Sequence, residues 1–198
     1  MSGPADDEEL IEGLRLGSPV HFERLVRDNA GWMLGVARRL LRDEALAEDA
    51  LQDAFAKVFQ SVAGFRGEAR LKTWLYRIAV NAALMKLRAR TRRQEQPIDD
   101  FLPEFDQNGC RIEAPWSHLA TPEEVLESES QRAFVRAKID ELPDNYRTVL
   151  LLRDIEELEM TEIADLLELS PGATKVRLHR ARSALKHLLE PALRSETL

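Results

Sequence analysis

The chain reads as an all-α protein of two small helical domains joined by a flexible acidic linker. Three observations predict this. The 198 residues are 44% hydrophobic but only 6% aromatic, and Leu and Ala dominate, which favours helices over sheets. Apolar residues recur at helical spacing through most of the chain. Between Gln94 and about Thr121 that spacing fails, and Pro97, Pro103 and Pro115 interrupt the segment. The predicted boundaries are 1–94, 95–122 and 123–198.

Each element has its own signal. "HFERLVRDNAGWMLGVARRLLR" places Phe22, Leu25 and Val26 on one stripe and Trp32, Val36 and Leu40 on another, predicting two helices that meet near Asn29–Gly31. Asp43 is placed to cap a helix running to about Val62, with Ala47, Leu51, Ala54, Phe55, Val58 and Val62 inward. A fourth helix spans about Arg70 to Arg93, with Leu71, Trp74, Leu75, Ile78, Ala82, Met85 and Ala89 as its apolar stripe. Val80, Ala83 and Leu87 lie on the other side, so this helix is apolar around much of its circumference. In the linker, "FDQNGCR" is turn chemistry, and Phe101, Leu102, Phe105 and Trp116 are apolar residues suited to docking. Helices resume after Pro122. Asp144 is placed to cap "NYRTVLLLRDI" and Thr161 a short helix with Ile163, Ala164 and Leu167. A turn at Ser170–Pro171–Gly172 then leads into a last long helix.

Composition excludes several classes. No apolar run is long enough to span a membrane, so direct membrane insertion is not expected. The acidic start "MSGPADDEEL" lacks signal-peptide features, so a cytoplasmic location is expected. Cys110 is the only cysteine, which rules out an internal disulfide. His179 has no Cys or second His at ligand spacing, so no metal or other cofactor is expected. There is no nucleophile–base pair and no phosphate-cradling glycine loop, so no enzymatic activity is expected.

Charge points elsewhere. The formal net charge is -7, yet it is sorted along the chain. Residues 66–93 hold nine cations and one acid; residues 95–130 hold ten acids and one Arg; residues 174–186 hold five cations and no acid. The acidic segment could fold back on either basic surface.

The short helix, tight turn and long basic helix near the C-terminus form a helix-turn-helix pattern. On the last helix Thr174, Leu178, Ala181, Leu185 and Leu188 share the core side. Lys175, Val176, His179, Ser183 and Lys186 face away, flanked by Arg180 and Arg182. Such cations can reach phosphates and guanine edges, and an outward Val can meet a thymine methyl. The alternative is a solvated helix end whose cations complement the dipole. On the fourth helix, Lys72, Tyr76 and Arg90 point away from the predicted stripe, with Arg77, Asn81 and Arg88 along one flank. Cations beside aromatics suit unpaired nucleic-acid strands. Asp49, Gln52, Asp53, Ala56 and Gln60, bordered by Phe59, line the outer face of the helix before it. That face is either plain solvent exposure or a protein-docking surface.

"AEDALQDAFAKVFQSVAGFRGEARLKTWLYRIAVNAALMKLRARTRR" resembles region two of the extracytoplasmic-function group of sigma-70 family factors, and "LPDNYRTVLLLRDIEELEMTEIADLLELSPGATKVRLHRARSALKHLL" resembles their region four. The resemblance implies a bacterial transcription initiation factor with core RNA polymerase, duplex and single-stranded promoter DNA, and an anti-sigma factor as partners. It implies polymerase docking through Asp49, Gln52, Asp53 and Phe59. It implies contact with the melted -10 element through Phe65, Arg66, Lys72, Thr73, Tyr76, Arg77, Asn81, Lys86 and Arg88, with Phe65, Thr73 and Asn81 near a flipped-out base. It implies reading of the -35 duplex through Lys175, Val176, His179 and Arg180, with Arg177 and Arg182 towards phosphates. Glu168 stands where the family has Gly in the helix-turn-helix turn. If that position takes a positive φ, a non-glycine there costs on the order of 1 kcal/mol.

Overall fold

A computed structural model of the chain describes residues 4–67, 69–91, 97–103 and 129–195. Phe105, Cys110 and Trp116 of the predicted linker, and the start of the helix expected from residue 123, lie outside these. Among the described residues there are helices and turns but no strand. The chain divides into two compact units, Met1–Arg93 and Gln94–Leu198.

The first unit contains α1 (Pro4–Arg15), α2 (Pro19–Leu41), α3 (Glu44–Ser61), a 3-10 turn (Val62–Gly64) and α4 (Leu71–Thr91). Helices α2, α3 and α4 pack on one another, and α1 lies against α2 and the 3-10 turn. The centre is built from Leu25, Met33, Leu40 and Leu41 of α2, Ala47, Ala54 and Val58 of α3, and Leu75, Val80 and Ala83 of α4, all buried. Each large aliphatic side chain there contributes about 1.5–3 kcal/mol of transfer free energy. The alanines of α3 let its neighbours approach closely.

Helix α2 is continuous where two helices were expected. Asn29 sits inside it because both ends of its amide find partners. Nδ2 donates to the Leu25 carbonyl at 2.8 Å, and Oδ1 accepts from Trp32 Nε1 at 3.0 Å. Gly31 costs the helix about 1 kcal/mol against Ala. The packed face running from Leu25 through Met33 and Val36 to Leu40 outweighs it. The helix ends at Arg42, which takes the left-handed conformation (φ 53°) and returns its N–H to the Arg38 carbonyl. Arg90 of α4 donates to the Leu41 carbonyl at 2.8 Å, placing a cation at this helix terminus. Asp43 caps α3 as expected, accepting from Leu46 N–H at 3.0 Å. Across the α2–α3 corner Arg38 pairs with Glu44. That hydrogen bond raises the guanidinium pKa and holds the carboxyl below its usual range.

The second unit contains α5 (Glu129–Glu141), α6 (Asp144–Leu150) running into a π-helical turn (Leu151–Ile155), α7 (Met160–Leu167) and α8 (Pro171–Ser195). Helices α5, α6 and α7 all pack on α8. A 3-10 turn at Asp99–Phe101, within the predicted linker, also lies against α8, and the preceding Ile98 is buried. The core is Ile139, Leu142, Val149, Leu150, Leu152, Ile163, Leu178, Ala181 and Ala184. One cation joins it: Arg147 is 0% exposed, with Nη1 3.7 Å from Asp140 and Nη2 3.4 Å from Asp144.

Three expected helix starts shift. Pro143 occupies the cap position of α6, so Asp144 is its first residue and accepts from Arg147. Glu159 precedes α7, so Thr161 lies inside the first turn. Ser170 caps α8, its Oγ accepting from Ala173 N–H at 3.2 Å. Pro171 and Gly172 are therefore helical residues, and the turn is Glu168–Ser170. Pro at the first helical position loses nothing, because its missing N–H would have had no intrahelical partner.

Candidate nucleic-acid and protein interfaces

The turn between α7 and α8 sets up the first surface. Glu168 adopts φ 56° and ψ 42°, the left-handed conformation that glycine favours, and Leu169 N–H closes on the Ala164 carbonyl at 2.9 Å. Helix α8 then buries Thr174, Leu178, Ala181 and Ala184. This leaves Lys175, Val176, His179 and Arg180 exposed together, one turn apart in pairs. Val176 is 57% exposed, an apolar side chain with no core to fill.

The two remaining predicted residues of α8 are held differently. Arg177 is half-buried, its guanidinium 5.9 Å from the centre of the Tyr146 ring. Arg182 forms a two-pronged ion pair with Asp154, with Nε 3.0 Å from Oδ2 and Nη2 on Oδ1. The hydrogen bond to Asp154 raises the Arg182 pKa. Both partners come from elements earlier in the unit, so helical periodicity carried no sign of them.

The second surface lies on α4 and the loop before it. Here the predicted stripe holds over its first part, where Leu71, Leu75 and Ala82 are buried and Trp74 and Ile78 half-buried, and fails at Met85 and Ala89. Leu71, Leu75, Ala79, Val80, Ala82, Ala83, Leu84 and Leu87 are buried, whereas Met85 is 68% exposed and Ala89 is exposed. Because α4 is apolar on several sides, periodicity left its rotation open. Packing between α2 and α3 decided it. The outward stripe is Thr73, Arg77, Asn81, Met85 and Arg88, with Lys72 beside it. Lys72 Nζ lies 5.8 Å from the centre of the Trp32 ring, which orients the ammonium. Tyr76 is half-buried. Met85 is a candidate that the sequence pattern had placed in the core.

Phe65 is only 6% exposed, with its ring 4.8 Å from that of Trp74. It is extended after the 3-10 turn, and its carbonyl accepts from the Arg15 guanidinium of α1. Arg66 and Gly67 follow at the surface, Gly67 at φ 75°. The loop therefore anchors its aromatic inward and presents Arg66 outward.

The third surface is α3. Asp49, Gln52, Asp53, Ala56 and Gln60 are all exposed along it. Phe59 is 59% exposed and stands edge-on to Phe22, with ring centres 5.5 Å apart. This acidic face and the basic face of α4 meet at Lys86. Its Nζ lies 2.8 Å from Asp53 and 4.0 Å from Asp49, and the hydrogen bond to Asp53 raises its pKa. The structure thus joins two residues assigned to polymerase docking with one assigned to DNA. Among the described residues no cluster of His, Cys, Asp and Glu is arranged to hold a metal ion, and no helix is long and apolar enough to cross a membrane.

Comparison with known proteins accounts for both units. Sigma-70 region 2 matches residues 25–93 and sigma-70 region 4 matches residues 135–185. The chain is 34% identical to the RNA polymerase sigma-H factor of Pseudomonas aeruginosa over 188 residues, covering 95% of this chain and 96% of that protein. It is 31% identical to the ECF RNA polymerase sigma-E factor of Escherichia coli K12, over 98% of this chain and all of that protein. In fold it is similar to the sigma factor RpoE solved in complex with the anti-sigma factor NepR from Bartonella quintana. That match has a TM-score of 0.54 at 23% identity, covering 85% of this chain and 96% of that one. The outward cationic helix of a helix-turn-helix and the basic, aromatic-flanked helix of the first unit are thus features of a chain that belongs to the extracytoplasmic-function group of the sigma-70 family of RNA polymerase sigma factors.

Proposed function

We propose that this chain binds core RNA polymerase and directs it to promoters by gripping the DNA at two places. The observation that carries this is the pair of outward cationic faces in separate units, one on the second helix of a helix-turn-helix and one on α4 beside an aromatic-anchored loop. Residues 1–94 dock on the polymerase and hold the melted -10 element, residues 123–198 read the -35 duplex, and residues 95–122 connect them.

On α8, Lys175, Val176, His179 and Arg180 are the base-reading set. An α-helix fits the major groove, where a guanidinium addresses guanine and a branched aliphatic meets a thymine methyl. Arg177 and Arg182 neutralise nearby phosphates from positions fixed by Tyr146 and Asp154. On α4, Lys72, Arg77, Lys86 and Arg88 draw in the backbone of the opened strand. Thr73 and Asn81 offer hydrogen bonds to base edges, and Tyr76 offers a ring edge. Phe65 acts from beneath, by setting the loop that carries Arg66. Asp49, Gln52 and Asp53 with the exposed Phe59 dock on the polymerase, a charged rim around an apolar anchor. An anti-sigma factor that covers these faces restrains the protein, which works in the cytoplasm as a transcription factor and not as an enzyme.

The test is reconstitution. The purified chain, core polymerase and a promoter library are combined and transcript starts sequenced. Starts at a shared promoter class, absent with core alone, are expected. Absence of core binding and of directed initiation defeats the proposal.

A further inference from the structure

Helix α1 belongs to no surface assigned above, yet it reaches one of them. Leu10 and Leu14 are buried, seating α1 on α2 and on the 3-10 turn Val62–Gly64. Its last residue, Arg15, is directed at the chain fifty residues on and donates to the carbonyl of Phe65. A cleft of about 730 Å³ opens there, walled by Ile11, Arg15, Leu16 and the acidic Glu8 and Glu12 on one side and by Phe65, Arg66 and Gly67 on the other.

From this geometry we infer that Arg15 is a positioning residue for base selection by the 65–67 loop. The inference rests on the proposed role of that loop at the -10 strand. Three constraints hold the loop: the stacking of Phe65 on Trp74, the return of Phe65 N–H to the Val62 carbonyl at 3.1 Å, and the guanidinium of Arg15 on the Phe65 carbonyl. The first two fix the entry to the loop and the ring. Arg15 alone of the three fixes the peptide plane that leads into Arg66 and Gly67. Gly67 sits in the left-handed region, with nothing within 4 Å of where a Cβ would stand, so no neighbouring atom crowds that position. Without Arg15 that carbonyl turns to water, and Arg66 is presented over a range of directions. Selection among bases depends on geometry held to within a fraction of an ångström. Attraction to phosphate does not. Loss of Arg15 should therefore lower selectivity while sparing affinity.

The experiment uses Arg15→Ala and Arg15→Lys in the full chain, with two measurements. Trypsin cleavage at Arg66–Gly67 in the purified chain reports the loop itself. Enrichment from a randomised single-stranded oligonucleotide pool bound by the reconstituted holoenzyme reports base preference. Arg15→Ala should speed the cleavage and flatten the preference at one position, each by about tenfold, the scale set by one charge-assisted hydrogen bond. Core association should stay unchanged, the thermal midpoint should fall by no more than the several degrees that one hydrogen bond accounts for, and Arg15→Lys should recover part of the loop and preference effects. Unchanged cleavage overturns the inference. So does weakening of all oligonucleotides alike, or a loss of core association that matches the loss of preference. If the wild-type holoenzyme shows no single-strand preference, the assigned role of the loop fails, and the cleavage rates still decide whether Arg15 restrains it.

Discussion

Helices α4 and α8 both carry a line of cations towards solvent, but they are built in opposite ways. Helix α8 has one buried stripe, Thr174, Leu178, Ala181 and Ala184, and what lies opposite is exposed by default. Helix α4 is central to its unit and buried on a broad arc, so its outward stripe is what remains after α2 and α3 have packed. The difference shows in which residues are exposed. On α8, Lys175 and Arg180 are exposed while Arg182 is engaged by Asp154. On α4, Arg77 and Asn81 are exposed while Lys86 is drawn to Asp53 and Asp49. In both units acidic side chains from another element fix the direction of a cation in the row.

The sharpest way to break this comparison is through the two apolar residues of α4 whose positions the sequence pattern and the structure treat differently. Both Leu75 and Met85 lie on the stripe expected to be core, yet one is fully buried and the other is not. Leu75→Ala should cost about 2–5 kcal/mol by opening a cavity. It should unfold the first unit while duplex binding by the second survives. Met85→Ala should change stability by no more than about 0.5 kcal/mol. Denaturant unfolding of both variants checks this, and a large loss in Met85→Ala would return Met85 to the core side on which the sequence pattern places it.

That pair also shows what a sequence can carry. The all-helical class, the cap at Asp43 and the core side of α8 were legible, because each depends on near neighbours in the chain, whereas the left-handed conformation at Glu168 was raised only by the family resemblance. The unbroken α2 was not. Asn29 and Gly31 have local preferences against helix, and the tertiary packing of Leu25, Met33 and Val36 overrode them. Nor was the rotation of α4, where several faces are equally apolar. The partners of Arg182, Lys86 and Arg15 lie 28, 33 and 50 residues away, and no spacing rule reaches that far. Of the candidate site, composition and motif pointed to the helices that carry it, while the structure shows which of their side chains are exposed.

A next contrast concerns the acidic face. Replacing Asp49 and Asp53 together with Ala should weaken core association about tenfold or more, the size expected when charged groups of an interface are removed. The fold should be retained, since both side chains are exposed. The same variant releases Lys86, so affinity for the opened strand should not fall with it. Titration of core polymerase and of single-stranded oligonucleotide separates the two effects.

Within α8, Arg180→Ala should cost about 1–3 kcal/mol in -35 duplex binding and relax selectivity at one base pair, leaving core association intact. Arg182→Ala should weaken binding uniformly across sequences and by less, because Asp154 already shares its charge. It should also flatten the dependence of log K on log salt, by a slope of about 1 at most. Equal sequence-dependent losses in the two variants would erase the distinction between the exposed and the tethered arginine.

The smallest expected effect tests the turn that aims α8. Glu168 is held at φ 56°, where a side chain meets the following carbonyl oxygen at a cost of roughly 1–2 kcal/mol relative to glycine. Glycine gives back part of that gain, because it frees the unfolded chain by about 0.4–1 kcal/mol. Glu168→Gly should therefore stabilise the second unit by a net of about 0.5–1 kcal/mol. In a domain of this size that is a rise of a few degrees in thermal midpoint. Duplex affinity should stay level, since the backbone closure from Leu169 to Ala164 is already made and α8 keeps its direction. A fall in midpoint would mean that the Glu168 side chain contributes more to the turn than its backbone costs.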